Sequence, residues 1–421
     1  MVVGGGPAGI AAATVAARSG ASVALLDDNP GLGGQIWRDE SRASTSATAA
    51  TWFEEFEHSQ VKWIRAAQVF HAEAGRLLAE SPETTHEIFF EKLILATGAR
   101  ERFLPFPGWT LANVLGAGGL QAFIKSGLAV RGKRIAIAGT GPLLLAVAAC
   151  VQEHSGEVVC IAEQTTRTKF VKFGMSMLFA PGKFRETMRL GWELKGVPHW
   201  RNCWPLAALG KERVEGVRLS HGGQTKEIAC DYLACGFHLI PNTELAEYLG
   251  CKIQDGFVVV DDEQQTSVPG VYAAGEPTGI GGLELALIEG QIAGQAAAGR
   301  TVEHRKLLKA RAASKLTVRA MKEAFVLRAE LRTLAEADAL VCRCEDVSFA
   351  RLREHKSWRE AKLQTRCGMG PCQGKVCGPA TEFLFGWKAD ALRPPLFPVR
   401  CSSLAAISAN TIPRALNGGT Q

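Results

Sequence analysis

MVVGGGPAGIAAATVAARSGASVALLDDNPGLGGQ, residues 1–35, reads as an apolar strand, a GxGxxG turn at Gly4, Gly6 and Gly9, an Ala-rich helix, and a second strand, SVALLD, that ends in the acid Asp27. In such a unit the first glycine allows the tight turn and the second lets the backbone approach a pyrophosphate. The third permits helix and strand to pack closely. The helix N-terminus then faces the phosphates. Asp27 lies about 20 residues on, where an acid receives the ribose hydroxyls of an adenine dinucleotide. A glycine-rich turn without a ligand is the alternative. It does not account for strand, helix, acid and the following Gly33-Gly34-Gln35 together.

Two further segments of this kind follow. KLILATGARERFLPFPG is a buried strand ending in Ala96-Thr97-Gly98, with a Pro-rich crossover through Pro105 and Pro107 behind it. KRIAIAGTGPLLLAVAACVQ and then VVCIAE repeat strand, turn, helix, strand and acid with Gly139, Gly141 and Glu163. Leu144 stands where the third glycine belongs, so helix and strand are expected to lie further apart there. Glu163 would favour a free ribose hydroxyl, but a scaffold that binds no nicotinamide is an equal reading. VPGVYAAGEPTGIGGLELALIEGQIAG closes the series with a strand ending at Gly275-Glu276, a glycine loop, and a helix from near Gly282.

The C-terminal part carries different chemistry. Cys342 and Cys344 in VCRCEDV are followed by Cys367, Cys372 and Cys377 in TRCGMGPCQGKVCG. Soft thiolates grouped among glycines suit an iron–sulfur cluster, because glycine lets backbone N–H groups come close to the sulfurs. Zinc is the other candidate, against which no two of these cysteines have CxxC spacing. Five of the chain's 12 cysteines in one short segment also argue against burial as their only role.

At 421 residues with 47% hydrophobic content, the chain can build two or three domains. The net charge of +6 is mild, and the basic run between Arg305 and Arg366 also carries acids. It reads as a solvated face or docking surface, with no nucleic-acid motif beside it. The apolar stretch Ile135 to Val151 is broken by Gly139, Gly141 and Pro142, which excludes a membrane span. No positively charged leader precedes the first motif, and metal-type cysteines suit a reducing compartment. The cytoplasm is the expected location, with a peripheral place at the inner membrane left open. The first strand is short, about three residues. The tail after Lys388 has no motif and is expected to pack on a partner subunit.

From residue 1 to about 300 the sequence resembles the flavoproteins of the glutathione and thioredoxin reductase type, on the strength of GGGPAG, LLD, GGQ, ATG, GTGPLL and VYAAGE. That resemblance implies an α/β fold with two dinucleotide-binding, Rossmann-like domains. It places the FAD domain at 1–108 and 241–300 and an inserted second domain at 109–240. It also implies that Gly4, Gly6, Pro7 and Ala8 line the FAD pyrophosphate, that Asp27 holds the ribose and that Glu276 reaches the ribityl chain. Gly34, Gln35, Val69, Thr97, Gly98 and Gly275 complete the implied flavin site. The redox-active cysteine pair of disulfide reductases is missing near Gly33 to Arg38 and from 135 to 165. Cys230 and Cys235 sit in the strand-like IACDYLACG, where burial explains both.

Behind a helical linker at 301–340, residues 341–388 resemble the small helical [2Fe-2S] module of bacterioferritin-associated ferredoxin, and 389–421 form a tail. In that module Cys342, Cys344, Cys372 and Cys377 would be the ligands, and Cys367 would have no ligand duty. The fusion resembles the larger, A-type subunit of opine oxidases, cis-4-hydroxy-D-proline dehydrogenases and hydrogen cyanide synthase. The implied role is an electron-transfer subunit of a heteromeric oxidoreductase acting on CH–NH or CH–NH2 donors. A smaller FAD-containing partner would oxidise the substrate, and no catalytic residue is assigned to this chain. A small ferredoxin-like subunit, an electron acceptor, FMN at a subunit interface and NAD(P) are further components the resemblance leaves open. The alternatives are an NAD(P)H-dependent reductase feeding the cluster, and a non-catalytic scaffold.

Overall fold

The structure, a computed structural model, describes residues 1–38, 46–176, 188–300, 304–388 and 392–411. Residues 301–303 of the expected linker, and 389–391 and 412–421 of the expected tail, lie outside the described residues. The chain divides into two compact units. One comprises Met1–Gly98, Pro241–Leu308 and Ala391–Gln421, and the other Ala99–Ile240 and Lys309–Asp390.

The first unit is built on a parallel five-stranded sheet in the order Val271–Ala273, Leu93–Leu95, Val2–Val3, Ala24–Leu26, Lys62–Ile64. Its inner strands are short but apolar throughout, as strands covered on both faces must be. Val2–Val3 is shorter than the three residues expected, yet it pairs on both sides, with Leu25–Leu26 and Ile94–Leu95. The helix Pro7–Arg18 starts with a proline in its first turn and runs through alanines, then stops at Ser19-Gly20, where Gly20 takes φ +91°.

This helix packs on Gly282–Ala297 almost backbone to backbone. A Cβ on Gly290 would stand 2.3 Å from Ala8 O, and one on Gly294 2.5 Å from Ala12 O. Small residues on both helices are therefore what brings the Gly275 loop over the opening turn. Beside the sheet, Gln68–Glu73, Arg76–Glu80 and Thr85–Phe89 form an antiparallel ribbon.

The tail, expected to pack on a partner, also makes contacts within its own chain. Its described part lies against this ribbon. Leu396 N–H donates to Phe70 O at 2.8 Å, and Ser403 Oγ donates to Glu80 Oε2 at 2.7 Å. Arg400 adds hydrogen bonds to Glu80, Ser81 and Pro82. An acid on the ribbon and a buried leucine hold it to its own chain.

The second unit repeats the plan with a parallel sheet ordered His199–Arg201, Glu157–Glu163, Arg134–Thr140, Tyr232–Phe237, Val114–Gly116. Ile135 to Val151 is here a strand, a turn and the helix Leu143–Glu153, and no described helix is long and apolar enough to cross a membrane. Leu144 is buried against Gly236 of the neighbouring strand, where a Cβ would lie 3.1 Å from Leu144 Cδ2. The glycine missing from the helix is thus matched by one on the strand.

The cysteine module belongs to this same unit. Its hairpin, Leu340–Cys342 with Val347–Ser348, and its helices Trp358–Thr365 and Cys377–Phe385 form a core of their own, and Val376 and Phe383 pack on the second sheet domain. Trp109 Nε1 donates to Leu340 O at 2.6 Å and Arg100 Nε to Lys375 O at 3.2 Å.

Candidate functional site

In the first unit the expected nucleotide residues converge at the C-terminal ends of Val2–Val3, Leu93–Leu95 and Val271–Ala273. Gly4 takes φ +107°, and a Cβ there would stand 2.1 Å from Ala96 O; one on Gly9 would meet Gly4 O at 1.8 Å. Gly6 differs from both. Nothing lies within 4 Å of where its Cβ would be, and it is the N-cap of the helix Pro7–Arg18, which no side chain caps. Open space over uncapped helical N–H groups is what a pyrophosphate requires.

Asp27 is buried, and its carboxylate is drawn onto the turn, accepting from Gly5 N–H and, at 2.7 Å, from Asn29 N–H. Gly33 N–H donates to Gly5 O at 2.8 Å, and a Cβ on Gly34 would come within 3.1 Å of Gly6 Cα. The GGQ loop therefore walls the turn, with Gln35 exposed beside it.

Thr97 is fixed by a reciprocal pair. Its Oγ1 donates to Asn242 O at 2.6 Å, and Asn242 Nδ2 donates to Thr97 O at 2.8 Å. Gly98 follows with φ +68°. Gly275 sits against Ala8, while Glu276 Oε1 accepts from Gly282 N–H at 3.0 Å, at the head of the closing helix. Sequence reasoning missed Glu289. This buried carboxylate accepts from Gly275 N–H at 3.1 Å and Thr278 Oγ1 at 2.6 Å, and so shapes the loop from within the helix. Val69 turns its side chain into an apolar cluster with Ala67 and Leu77 that also holds Val3 and Leu26 of the strands leading to this turn.

In the second unit the turn at Gly141 also faces open space, before a helix that no side chain caps, and a segment of the chain borders the crevice. Gln164 Nε2 donates to Val326 O at 3.1 Å and Gln164 Oε1 accepts from Arg328 N–H at 3.0 Å. Thr165 Oγ1 donates to Ala324 O at 3.3 Å, and His238 Nε2 lies 2.7 Å from Phe325 O. Gln164 follows the strand Glu157–Glu163 and His238 follows Tyr232–Phe237. The strand between them in the sheet is Arg134–Thr140, which leads into the Gly139–Gly141 turn. The segment Ala324–Arg328 therefore crosses the strand ends where a dinucleotide lies in this kind of fold.

Glu163 is satisfied by protein, accepting from Thr140 Oγ1 at 2.8 Å, Gly141 N–H at 2.7 Å and Thr165 N–H at 2.8 Å. Burial pushes its pKa up, partly offset by those hydrogen bonds. The cavity left beside the segment holds about 290 Å³, at the bottom of the ligand-pocket range of about 300–1,000 Å³.

The five module cysteines form a buried trio and a more exposed pair. The sulfurs of Cys342, Cys367 and Cys377 lie within 4.8 Å of one another, all buried. Cys344 is exposed and hydrogen-bonded to the half-buried Cys372. Cys342 receives hydrogen bonds from the Cys367 and Cys377 thiols and from the N–H groups of Gly368 and Glu345, which hold its pKa down to about 2. The Cys367 thiol is pushed up to about 12, chiefly by its bond to Cys342.

Glycines make this close packing feasible. A Cβ on Gly370 would stand 2.3 Å from Cys344 Cβ, and one on Gly368 2.6 Å from the Trp358 ring. Arg366, at φ +67°, ends the helix Trp358–Thr365 and turns Cys367 inward. The structure thus places Cys367, expected to stand aside, among the buried sulfurs. A set of soft donors with backbone N–H groups aimed at one of them fits an iron–sulfur centre. Elsewhere, Cys230 and Cys235 are buried in the second unit's core, and burial raises both thiol pKa values, that of Cys230 to about 11.

The opening turn, the paired sheets and the sequence agree with one class: the chain belongs to the pyridine nucleotide-disulphide oxidoreductase family, whose sequence profile matches residues 1–293. Within it, the chain is 31% identical to the A-type opine oxidase subunit of Rhizobium meliloti, over 97% of this chain and 87% of that protein. It is 30% identical to the HcnB subunit of hydrogen cyanide synthase from Pseudomonas protegens, over 93% and 91%. The crystal structure of L-proline dehydrogenase from P. horikoshii shares the fold, with a TM-score of 0.69 and 19% identity over 96% of this chain and 78% of that one.

Proposed function

We propose that this chain is the electron-transferring subunit of a heteromeric dehydrogenase that oxidises the C–N bond of an opine or an amino or imino acid. Hydride removal takes place on a smaller, FAD-containing partner. The observation that carries this reading is the gathering of five thiols in one module behind a flavoprotein-type fold. The relatives named as subunits of opine oxidase and hydrogen cyanide synthase support both the partner and the C–N chemistry.

FAD would be held by Gly4, Gly6, Pro7, Ala8, Asp27, Gly34, Gln35, Thr97, Gly98, Gly275 and Glu276, and a [2Fe-2S] centre by Cys342, Cys344, Cys372 and Cys377. When bound, a flavin takes electrons in pairs and releases them singly, and the iron–sulfur centre carries one. The chain's own part is to orient the pyrophosphate over Gly6 and to aim the Gly368 and Glu345 N–H groups at the Cys342 sulfur.

The second reading, an NAD(P)H-dependent reductase, needs the second unit's crevice, whose turn at Gly141 is open but whose strand ends are bordered by Ala324–Arg328. Titrating the anaerobic, flavin-loaded chain with NADH separates the two. No bleaching of the flavin is expected, and rapid bleaching without a partner establishes the reductase. The division of labour has its own test, a dye-reduction screen over N-substituted amino acids. The isolated chain is expected to be inactive and to gain activity with the smaller subunit. An equal rate without that subunit would place catalysis in this chain and sink the proposal.

A further inference from the structure

The iron–sulfur reading above needs four thiolates, and the module supplies five, unevenly placed. Three sulfurs, those of Cys342, Cys367 and Cys377, share the buried end. The exposed Cys344 and half-buried Cys372 make up the other. Each iron of a two-iron cluster bridged by two sulfides takes two protein ligands. The buried end therefore holds one sulfur more than an iron there can use, and the exposed end holds none to spare.

We propose that Cys367 is an interchangeable ligand at the buried end, able to take the place of Cys377 or Cys342. Its sulfur is already delivered by the backbone. Arg366 turns the chain inward at φ +67°, and Cys367 N–H is tied to Thr365 Oγ1 at 3.2 Å. Gly368 is locked against the Trp358 ring. Two thiolates on one tetrahedral metal stand roughly 3.8 Å apart for metal–sulfur bonds of about 2.3 Å. The trio's span of 4.8 Å is close enough for side-chain rotation to close it. The exchange is a plain ligand substitution: one iron–sulfur bond is lost, one forms from Cys367, and the Cys367 proton passes to the displaced thiolate. Charge and oxidation state are unchanged.

The test uses the full chain purified anaerobically and read by iron and labile-sulfide content and by the electron paramagnetic resonance of the reduced protein. Wild type is expected to carry two irons, and its failure to do so rejects the iron–sulfur reading itself. Cys377→Ser is expected to keep at least half of that iron with a shifted signal, and Cys377→Ser with Cys367→Ala to lose it. Cys372→Ser is expected to lose it with Cys367 intact. If Cys377→Ser loses iron as fully as Cys372→Ser while wild type is loaded, Cys367 is no substitute and the proposal falls. Far-UV circular dichroism checks folding. Where Cys377→Ser does not fold, Cys342→Ser, with and without Cys367→Ala, gives the same comparison with the same criterion.

Discussion

Three glycines of one motif do three different jobs at the opening turn, and the distances separate them. Gly9 and Gly4 are packed where a Cβ would overlap backbone oxygen at 1.8 and 2.1 Å, whereas Gly6 faces open space. Gly6→Val should therefore fold with a near-native urea midpoint but purify without FAD, because its methyls fill the room a pyrophosphate needs. Gly9→Val should lose about 1–3 kcal/mol or more by overpacking, read as a lowered midpoint. Full flavin occupancy in the Gly6 variant would remove the pyrophosphate from this turn. The cysteines show the same dependence on neighbours. Two thiols and two N–H groups draw the Cys342 pKa down, while those of Cys230 and Cys160 are raised chiefly by burial.

Helices in this protein are placed by what their faces lack. Pro7–Arg18 and Gly282–Ala297 touch through Gly290 and Gly294, which sit on Ala8 and Ala12. Gly294→Val puts a branched side chain 2.5 Å from Ala12 O and has to push the helices apart. The expected outcome is a loss of about 1–3 kcal/mol together with weakened FAD retention, since the Gly275 loop rides on that helix. Stability lost with FAD fully retained would show that the loop is positioned independently. The segment Ala324–Arg328 is a different kind of element, with little regular structure of its own, held by side chains from the ends of two strands.

At the scale of the whole molecule, the thiol module shares a compact unit with the second sheet domain, not with the nucleotide turn. Trp109 anchors that docking through Leu340 O, at the base of the strand that carries Cys342. Trp109→Phe keeps most of the ring but removes the donor to a half-buried carbonyl, a cost of about 0.5–1.5 kcal/mol. Faster proteolysis within 341–388 and faster iron loss are expected, with flavin content unchanged. Unaltered cleavage would mean that the module holds itself together without the indole.

The sequence by itself determined the α/β class, the order of the nucleotide-type segments, the opening turn and the membership of the cysteine set. Each of these depends on residues near one another in the chain, where spacing translates directly into geometry. GxGxxG followed by an acid is such a pattern, and so is CxC. What the tertiary structure decided depends on partners far apart. Gln164 meets Val326 across 162 residues, and His238 meets Phe325 across 87. The spacing of the acid Glu163 allowed a ribose ligand or a bare scaffold equally, and the fold adds that its carboxylate accepts from Thr140, Gly141 and Thr165. Cys367 looked idle beside a pattern of four, until a left-handed residue at the helix end turned its sulfur toward Cys342 and Cys377. Local spacing sets which groups a chain offers, and only packing fixes which of them meet.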